Sequence, residues 1–217
     1  MAAADALRGG ETAGMNVLIF WAQRLVFLAN TKTGSTSIEA ALEQMAHVAI
    51  RRPPELKHMT ARRYRQHMRP LLEKPAGGPF STVAVMREPI DWLGSWYRYR
   101  SREALAGAAR SSADMTFSQF VEAYLSDDPP LVARVGRQSR FLGDDDGKPL
   151  VDRIFRYEEI GGFVHHLEDI FGCEITLPRL NVSPTVGIDL SGDLRRRLRD
   201  HFAPDYAIYD SLSHSTG

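Results

Sequence analysis

Seven consecutive residues, Thr31-Lys32-Thr33-Gly34-Ser35-Thr36-Ser37, concentrate side chains suited to holding an anion. The hydroxyls of Thr31, Thr33, Ser35, Thr36 and Ser37 are hydrogen-bond donors, Gly34 lets the backbone wrap closely, and Lys32 adds a compact positive charge. The neighbours of this stretch give it direction. An apolar run, Leu25–Leu28, leads into it, and Ile38, Ala41, Leu42 and Met45 behind it keep the i, i+3, i+4, i+7 spacing of one helix face. A strand-to-helix junction turns the unpaired N–H groups and positive dipole end of the helix toward whatever the loop encloses. That chemistry suits a phosphate- or sulfate-like group. A polar loop whose Ser or Thr merely caps the helix is the plainer interpretation of the same residues.

The elements that must hold this stretch are legible from pattern. Val17–Phe20 and Leu25–Leu28 read as a small hairpin or two closely linked strands, and residues 81–86 (STVAVM) as a strand buried on both faces. A further strand is expected over 151–157. Helices are expected over about 59–69, where Pro70 would end or kink the chain, and from about 90 to 110 behind Pro89. Others are expected over 117–125, around 131–142, over 160–171 with Phe163, Val164, Leu167 and Ile170 on one stripe, and over 191–202 and 205–212. Strands alternating with helices predict an α/β fold with a central, mostly parallel sheet.

Composition narrows the partners. The 217 residues carry 27 Lys plus Arg against 27 Asp plus Glu, so the net charge is zero. This removes the global electrostatic case for a nucleic-acid coat or a polybasic membrane binder. Residues 1–14 are Ala/Gly-rich, lack the apolar core of a signal peptide and read as a flexible tail; 15–217 read as a single domain. No stretch reaches the roughly 18 apolar residues of a transmembrane segment. Cys173, the one cysteine, permits neither an intrachain disulfide nor a cysteine metal cluster, which points to a reducing, cytoplasmic setting.

The loop is not a Walker A sequence. There the lysine directly follows the second glycine, whereas Lys32 precedes Gly34 and no glycine stands at the earlier offset. The order Lys-Thr-Gly-Ser-Thr-Ser instead resembles the 5′-phosphosulfate loop of sulfotransferases that use 3′-phosphoadenosine 5′-phosphosulfate (PAPS). Those enzymes have a P-loop-type three-layer fold with helices flanking the sheet. The resemblance implies a second feature, a strand-end Arg and a Ser eight residues on that together grip the 3′-phosphate. Arg87 and Ser95 stand at that spacing, and a guanidinium fork and a hydroxyl both suit a phosphate dianion.

Three weaker likenesses occur in order along the chain. Phe155-Arg156-Tyr157-Glu158-Glu159 is similar to a strand-end segment whose Tyr lies near the adenine. Leu177-Pro178-Arg179-Leu180-Asn181-Val182-Ser183 and Asp205-Tyr206-Ala207-Ile208-Tyr209 are similar to later family segments. The likeness spans about residues 16–212. Within the family it looks like a compact bacterial-type member of the Golgi-like group (sulfotransferase family 2), without that group's membrane anchor.

The resemblance assigns cofactor binding to Thr31, Lys32, Thr33, Gly34, Ser35, Thr36, Ser37, Arg87, Ser95 and Tyr157, with PAPS as sulfuryl donor. No metal is required, because the donor is already an activated mixed anhydride. Charge develops on the oxygen bridging to the departing phosphate, and Lys32 is placed to stabilise it. The attacking hydroxyl or amine needs a base. The family draws a His or Glu from between the two cofactor motifs, where Glu55, His58 and His67 stand; His58, at the start of the expected helix, is preferred, then Glu55.

The acceptor, a small molecule, lipid or carbohydrate, would be bound by variable loops such as 51–75, 100–116 and 127–149. Between residues 51 and 69, Arg51, Arg52, Lys57, Arg62, Arg63, Arg65 and Arg69 have Glu55 as their only acidic neighbour, which suits either an anion-attracting patch or a solvated helix face. Trp92, Trp96, Tyr97 and Tyr99 divide between core and helix surface, or wall an acceptor site. Two other functions compete: an ATP-dependent P-loop-like kinase, and a catalytically inactive nucleotide-binding module. Against the kinase stand the displaced lysine, the lack of a strand-end Asp for Mg²⁺, and an Arg87–Ser95 pair with no task.

Overall fold

A computed structural model describes residues 17–51, 56, 59–102, 105, 107–144, 146–180 and 187–212. Strands β1 (Val17–Phe20) and β2 (Leu25–Phe27) form an antiparallel hairpin, with Leu18 opposite Phe27 and Phe20 opposite Leu25. β3 (Val48–Ile50) pairs antiparallel with the other side of β1. β4 (Ser81–Met86) lies parallel to β2, and β5 (Arg153–Arg156) parallel to β4. The order is β3-β1-β2-β4-β5. The α/β class holds, but the sheet is mixed rather than mostly parallel, since two of these four pairings are antiparallel. β3 was not expected; three residues on an exposed edge, with Val48 44% exposed, leave no periodic signal to find.

Alternation along the strands builds a core on each face. Leu18, Phe20, Phe27, Val83 and Val85 point to one side, where Ile38 and Leu42 of α1 (Ser35–Leu42) and Phe163 and Leu167 of α6 (Ile160–Phe171) cover them. Val17, Ile19, Val26, Ala84 and Met86 point to the other side. There they meet Tyr64 and Leu72 of α2 (61–76), Leu142 of α5 (Gln138–Leu142) and Ile208 of α8 (Ala203–Ser211). A third cluster joins α3 (Pro89–Arg100), α4 (Phe117–Tyr124) and α7 (Gly192–His201) through Trp92, Tyr97, Phe120, Leu198 and Phe202.

Three helix boundaries depart from expectation. Pro70 does not end α2. The chain widens into a π turn over Tyr64–Met68, which takes up the missing N–H and ring clash, and continues to Ala76, where Gly77 closes it at φ 65°. α3 stops at Arg100 rather than near 110, because the chain doubles back. Ser112 then satisfies the last-turn carbonyls, its Oγ donating to Tyr97 O at 2.8 Å and its N–H to Arg100 O at 3.1 Å. Of the pattern around 131–142 only α5 is helical.

β2, β4 and β5 run side by side in one direction, so the segments leaving their carboxyl ends emerge along one edge of the sheet, the edge where open α/β sheets bind ligands. Those segments begin with residues 28–34, Arg87 and Tyr157.

Candidate functional site

The loop after β2 is tied down at each step. Leu28 N–H donates to Val83 O at 2.9 Å, extending the ladder by one residue. Buried Asn30 donates its amide to Val85 O at 3.2 Å and Gln138 Oε1 at 3.0 Å. Thr33 Oγ1 donates to Asn30 O at 2.8 Å, and Trp92 Nε1 to Thr31 O at 2.8 Å. So fixed, the chain takes left-handed conformations at Lys32 (φ 60°) and Gly34 (φ 74°). Left-handed backbone costs a non-glycine residue about 1–2 kcal/mol, which the surrounding hydrogen bonds offset at Lys32.

Gly34 is required twice over, by its φ and by space: a Cβ there would lie 3.0 Å from Tyr157 Cε2. Gly34→Ala is therefore expected to destabilise the fold by about 1–2 kcal/mol, read as a lower midpoint of thermal unfolding. An unchanged midpoint would show that the loop relaxes at no cost.

α1 begins at Ser35 with Gly34 as its N-cap, no side chain capping it and no acidic residue in its first turn. Its positive end is thus not neutralised from within the helix. The hydroxyl residues Ser35, Thr36 and Ser37, expected in the loop, form this first turn instead.

Lys32 sits beside the loop in a cationic, aromatic surround. Its Nζ lies 3.8 Å from the ring centre of Tyr99 and 5.3 Å from that of Trp96. These residues are one helical turn apart on α3, so the tryptophan and tyrosine left open between core and surface form a wall here, while Trp92 and Tyr97 are buried. Burial, and then the charges of Arg102, Arg87, Arg100 and Arg98, lower the Lys32 pKa from 10.5 to about 7. Four guanidinium groups gathered around one half-buried amine make an environment that an anion would relieve.

Arg87 leaves the end of β4 and is held from three sides. Its Nε donates to Asp91 Oδ2 at 2.6 Å, its Nη1 reaches Lys32 O at 3.4 Å, and its guanidinium lies 4.6 Å from the ring centre of Tyr157. Asp91 gives its other oxygen to Arg98 Nη2 at 3.0 Å. Ser95 lies one turn beyond Asp91 on the same face of α3; it is buried, and its hydroxyl makes no hydrogen bond among the described residues. Lys32, Arg87 and Tyr157 thus gather at one edge from segments up to 125 residues apart, with Ser95 two turns along α3 from Arg87.

One residue that pattern reading missed organises this edge. Gln138, fully buried at the start of α5, accepts from Asn30 Nδ2 and from Arg87 N–H at 3.0 Å, and donates to Arg87 O at 2.8 Å. It is itself anchored through Ser139, whose N–H and Oγ donate to the buried carboxylate of Asp205 at 3.0 and 2.9 Å. A lone Gln inside a turn-rich stretch carries no sequence signal for such a bridge. Asp91, Arg98, Arg100 and Arg102 were likewise unmarked; only the i, i+4 spacing of Arg87 and Asp91 hinted at a pair.

The later segments return to the same edge. Leu180 N–H approaches Ser37 Oγ at 3.4 Å. From α8, Tyr209 OH donates to Glu158 at 2.9 Å and Tyr206 OH donates to Glu88, while Glu88 N–H donates to Glu158 at 2.8 Å. Of the three candidate bases, His58 and Glu55 lie outside the described residues, as do Asn181, Val182 and Ser183 and the tail at 1–14. His67 is exposed on the π turn. The basic stretch is less unbalanced than its sequence suggests: Arg51 pairs with Glu43 and Arg69 with Glu73, acids from outside its expected run.

Among the described residues, no group of His, Cys, Asp and Glu side chains is placed to hold a metal ion, and no helix is long and apolar enough to cross a membrane. No known family model, curated protein or solved structure matches the chain.

Proposed function

We propose that the protein transfers a sulfuryl group from PAPS to a hydroxyl or amine of an acceptor, on a P-loop-type fold. What carries this is the convergence of two anion-seeking devices on one sheet edge: the Lys32 loop leading into the uncapped α1, and Arg87 with Ser95, its guanidinium against the loop at 3.4 Å. The donor set fits a doubly anionic nucleotide: the α1 end and Lys32 for the 5′ group, Arg87 and the unengaged Ser95 hydroxyl for the 3′-phosphate, and the Tyr157 ring as a flat neighbour for the base. PAPS supplies a sulfur whose bond to the bridging phosphate oxygen breaks as the acceptor oxygen or nitrogen bonds to it. 3′,5′-ADP departs, and the acceptor's proton passes to a base, for which His58 is the nominee by sequence position.

Lys32 holds its proton weakly until negative charge arrives. In the folded protein its amine deprotonates near pH 7, whereas the unfolded chain keeps that proton to about 10.5. Between those values the unfolded state binds more protons, so this group makes folding more favourable as pH rises. A bound anion has the opposite effect on the amine, raising its pKa and drawing in a proton. Affinity for 3′,5′-ADP is therefore expected to fall by about tenfold from pH 7 to pH 9, with proton uptake on binding, and to lose that dependence in Lys32→Met. A pH-independent affinity in the unaltered protein would separate Lys32 from the anion.

Thermal unfolding with 3′,5′-ADP, 5′-ADP and ATP–Mg²⁺ tests the reading as a whole. A ligand at 100 times its Kd adds about 2.7 kcal/mol to stability. Selective stabilisation by 3′,5′-ADP is expected. Stabilisation by ATP–Mg²⁺ alone would replace the transferase with the kinase, and tight 3′,5′-ADP binding without turnover of any acceptor would favour the inactive module.

A further inference from the structure

A recess of about 190 Å³ is lined by Thr31 and otherwise by residues outside the cofactor set. Thr31 and Trp92 both border it, sharing the 2.8 Å bond from the indole N–H to the loop carbonyl. Thr60, Phe141, Arg137 and Arg140 also line it. Two of the segments expected to shape an acceptor site, 51–75 and 127–149, therefore meet here, one residue along the chain from Lys32.

The charges of this recess are one-sided. No Asp or Glu lines it. Arg140 is exposed and makes neither ion pair nor hydrogen bond among the described residues. Arg137 sets its Nη2 2.6 Å from His201 Nε2 and also bonds the Tyr124 hydroxyl. Burial and the charges of Arg137 and Arg140 push the His201 pKa down, so the ring accepts this contact as a neutral base and adds no charge of its own. The buried Asp205 carboxylate, which accepts from Ser139, attracts Arg137, so Arg140 is the guanidinium left without an acid among the described residues. Two guanidinium groups in a lining that also holds Phe141 and Val135 match a ligand with an anionic group on an apolar body.

We propose that this recess is the acceptor site and that it selects organic anions: a carboxylate, sulfate or phosphate held by Arg137 and Arg140, with an aromatic or aliphatic body against Phe141 and Val135 directing a hydroxyl toward Thr31 and Lys32. As an acceptor site it rests on the sulfuryl-transfer reading; as an anion site it stands on the recess alone.

The test compares 4-hydroxybenzoate with its neutral isostere 4-hydroxybenzamide, by titration calorimetry on the protein saturated with 3′,5′-ADP. The acid is expected to bind at least tenfold tighter than the amide. Arg140→Ala, an exposed change whose folding is checked by its thermal midpoint, is expected to erase that preference while altering affinity for the amide and for 3′,5′-ADP less than twofold. Equal binding of acid and amide, a preference that survives Arg140→Ala, or displacement of the acid by 3′,5′-ADP would each overturn the proposal. Should 3′,5′-ADP itself fail to bind, the transfer reading falls. An Arg140-dependent preference in the free protein would then uphold the recess as an organic-anion site and overturn its role as acceptor site.

Discussion

Replacing Lys32 by Ala is expected to lower the turnover of sulfuryl transfer by 10²- to 10³-fold, about 3–4 kcal/mol of transition-state stabilisation, while affinity for 3′,5′-ADP falls only about tenfold. The asymmetry comes from when the charge is needed. In the ground state the ammonium shares its surround with Arg87, Arg98, Arg100 and Arg102, which continue to attract the anion once it is gone. In the transition state negative charge accumulates on the leaving oxygen, and a cation fixed by a strained backbone answers it without reorganising. The thermal midpoint should hold or rise, because the variant removes a desolvated amine crowded by like charges. Single-turnover kinetics with saturating donor would decide the point. A variant with unimpaired turnover removes Lys32 from the chemistry, and one with equal losses in turnover and affinity makes it a plain binding residue.

Arg87→Ala should act on affinity and on its selectivity. A guanidinium 15% exposed, already oriented by Asp91 and stacked by Tyr157, presents its remaining N–H groups to a phosphate with little entropy left to lose. Its loss is expected to weaken 3′,5′-ADP by about 2–4 kcal/mol, or 30- to 1,000-fold. Binding of 5′-AMP, which lacks the 3′-phosphate, should change less than threefold. The ratio of the two affinities is the informative number, because general damage to the edge would weaken both ligands alike. An unchanged ratio would detach Arg87 from any 3′-phosphate.

How much of this edge was legible beforehand depended on whether a residue acts locally or through a distant partner. The strand-loop-helix around Lys32 could be read because its parts are contiguous and their periodicity switches from runs to a helical face within a dozen residues. The two-sided burial of 81–86 marked β4 for the same reason. Parallel pairing between β2 and β4 could not be read, since no local pattern states which strands become neighbours. β3 was too short to leave a trace. Pro70 misled, because a ring that breaks an α turn is tolerated once the preceding turn widens. The overlong expectation for α3 had a different source: Ser112 ends it by capping from beyond a loop, a contact that no window of sequence contains. Asp91, Gln138 and the arginines of α3 escaped because each has an ordinary helical or polar setting and gains its part only from the residue across from it.

The bridge made by Gln138 has a consequence for length. Its carboxamide clasps the segments leaving β2 and β4 at once, and the buried Asp205 holds the helix it starts. The gap between the Lys32 turn and the Arg87 fork is therefore set before any ligand arrives, as on a caliper with its screw tightened. A molecule whose two anionic ends match the opening meets no ordering cost from the strands. One that is too long or too short finds no give in the jaws, because spreading them would cost the amide of Asn30 one of its two acceptors and leave the N–H of Arg87 without its partner in the interior. Discrimination by span thus resides in a side chain that need never touch the ligand.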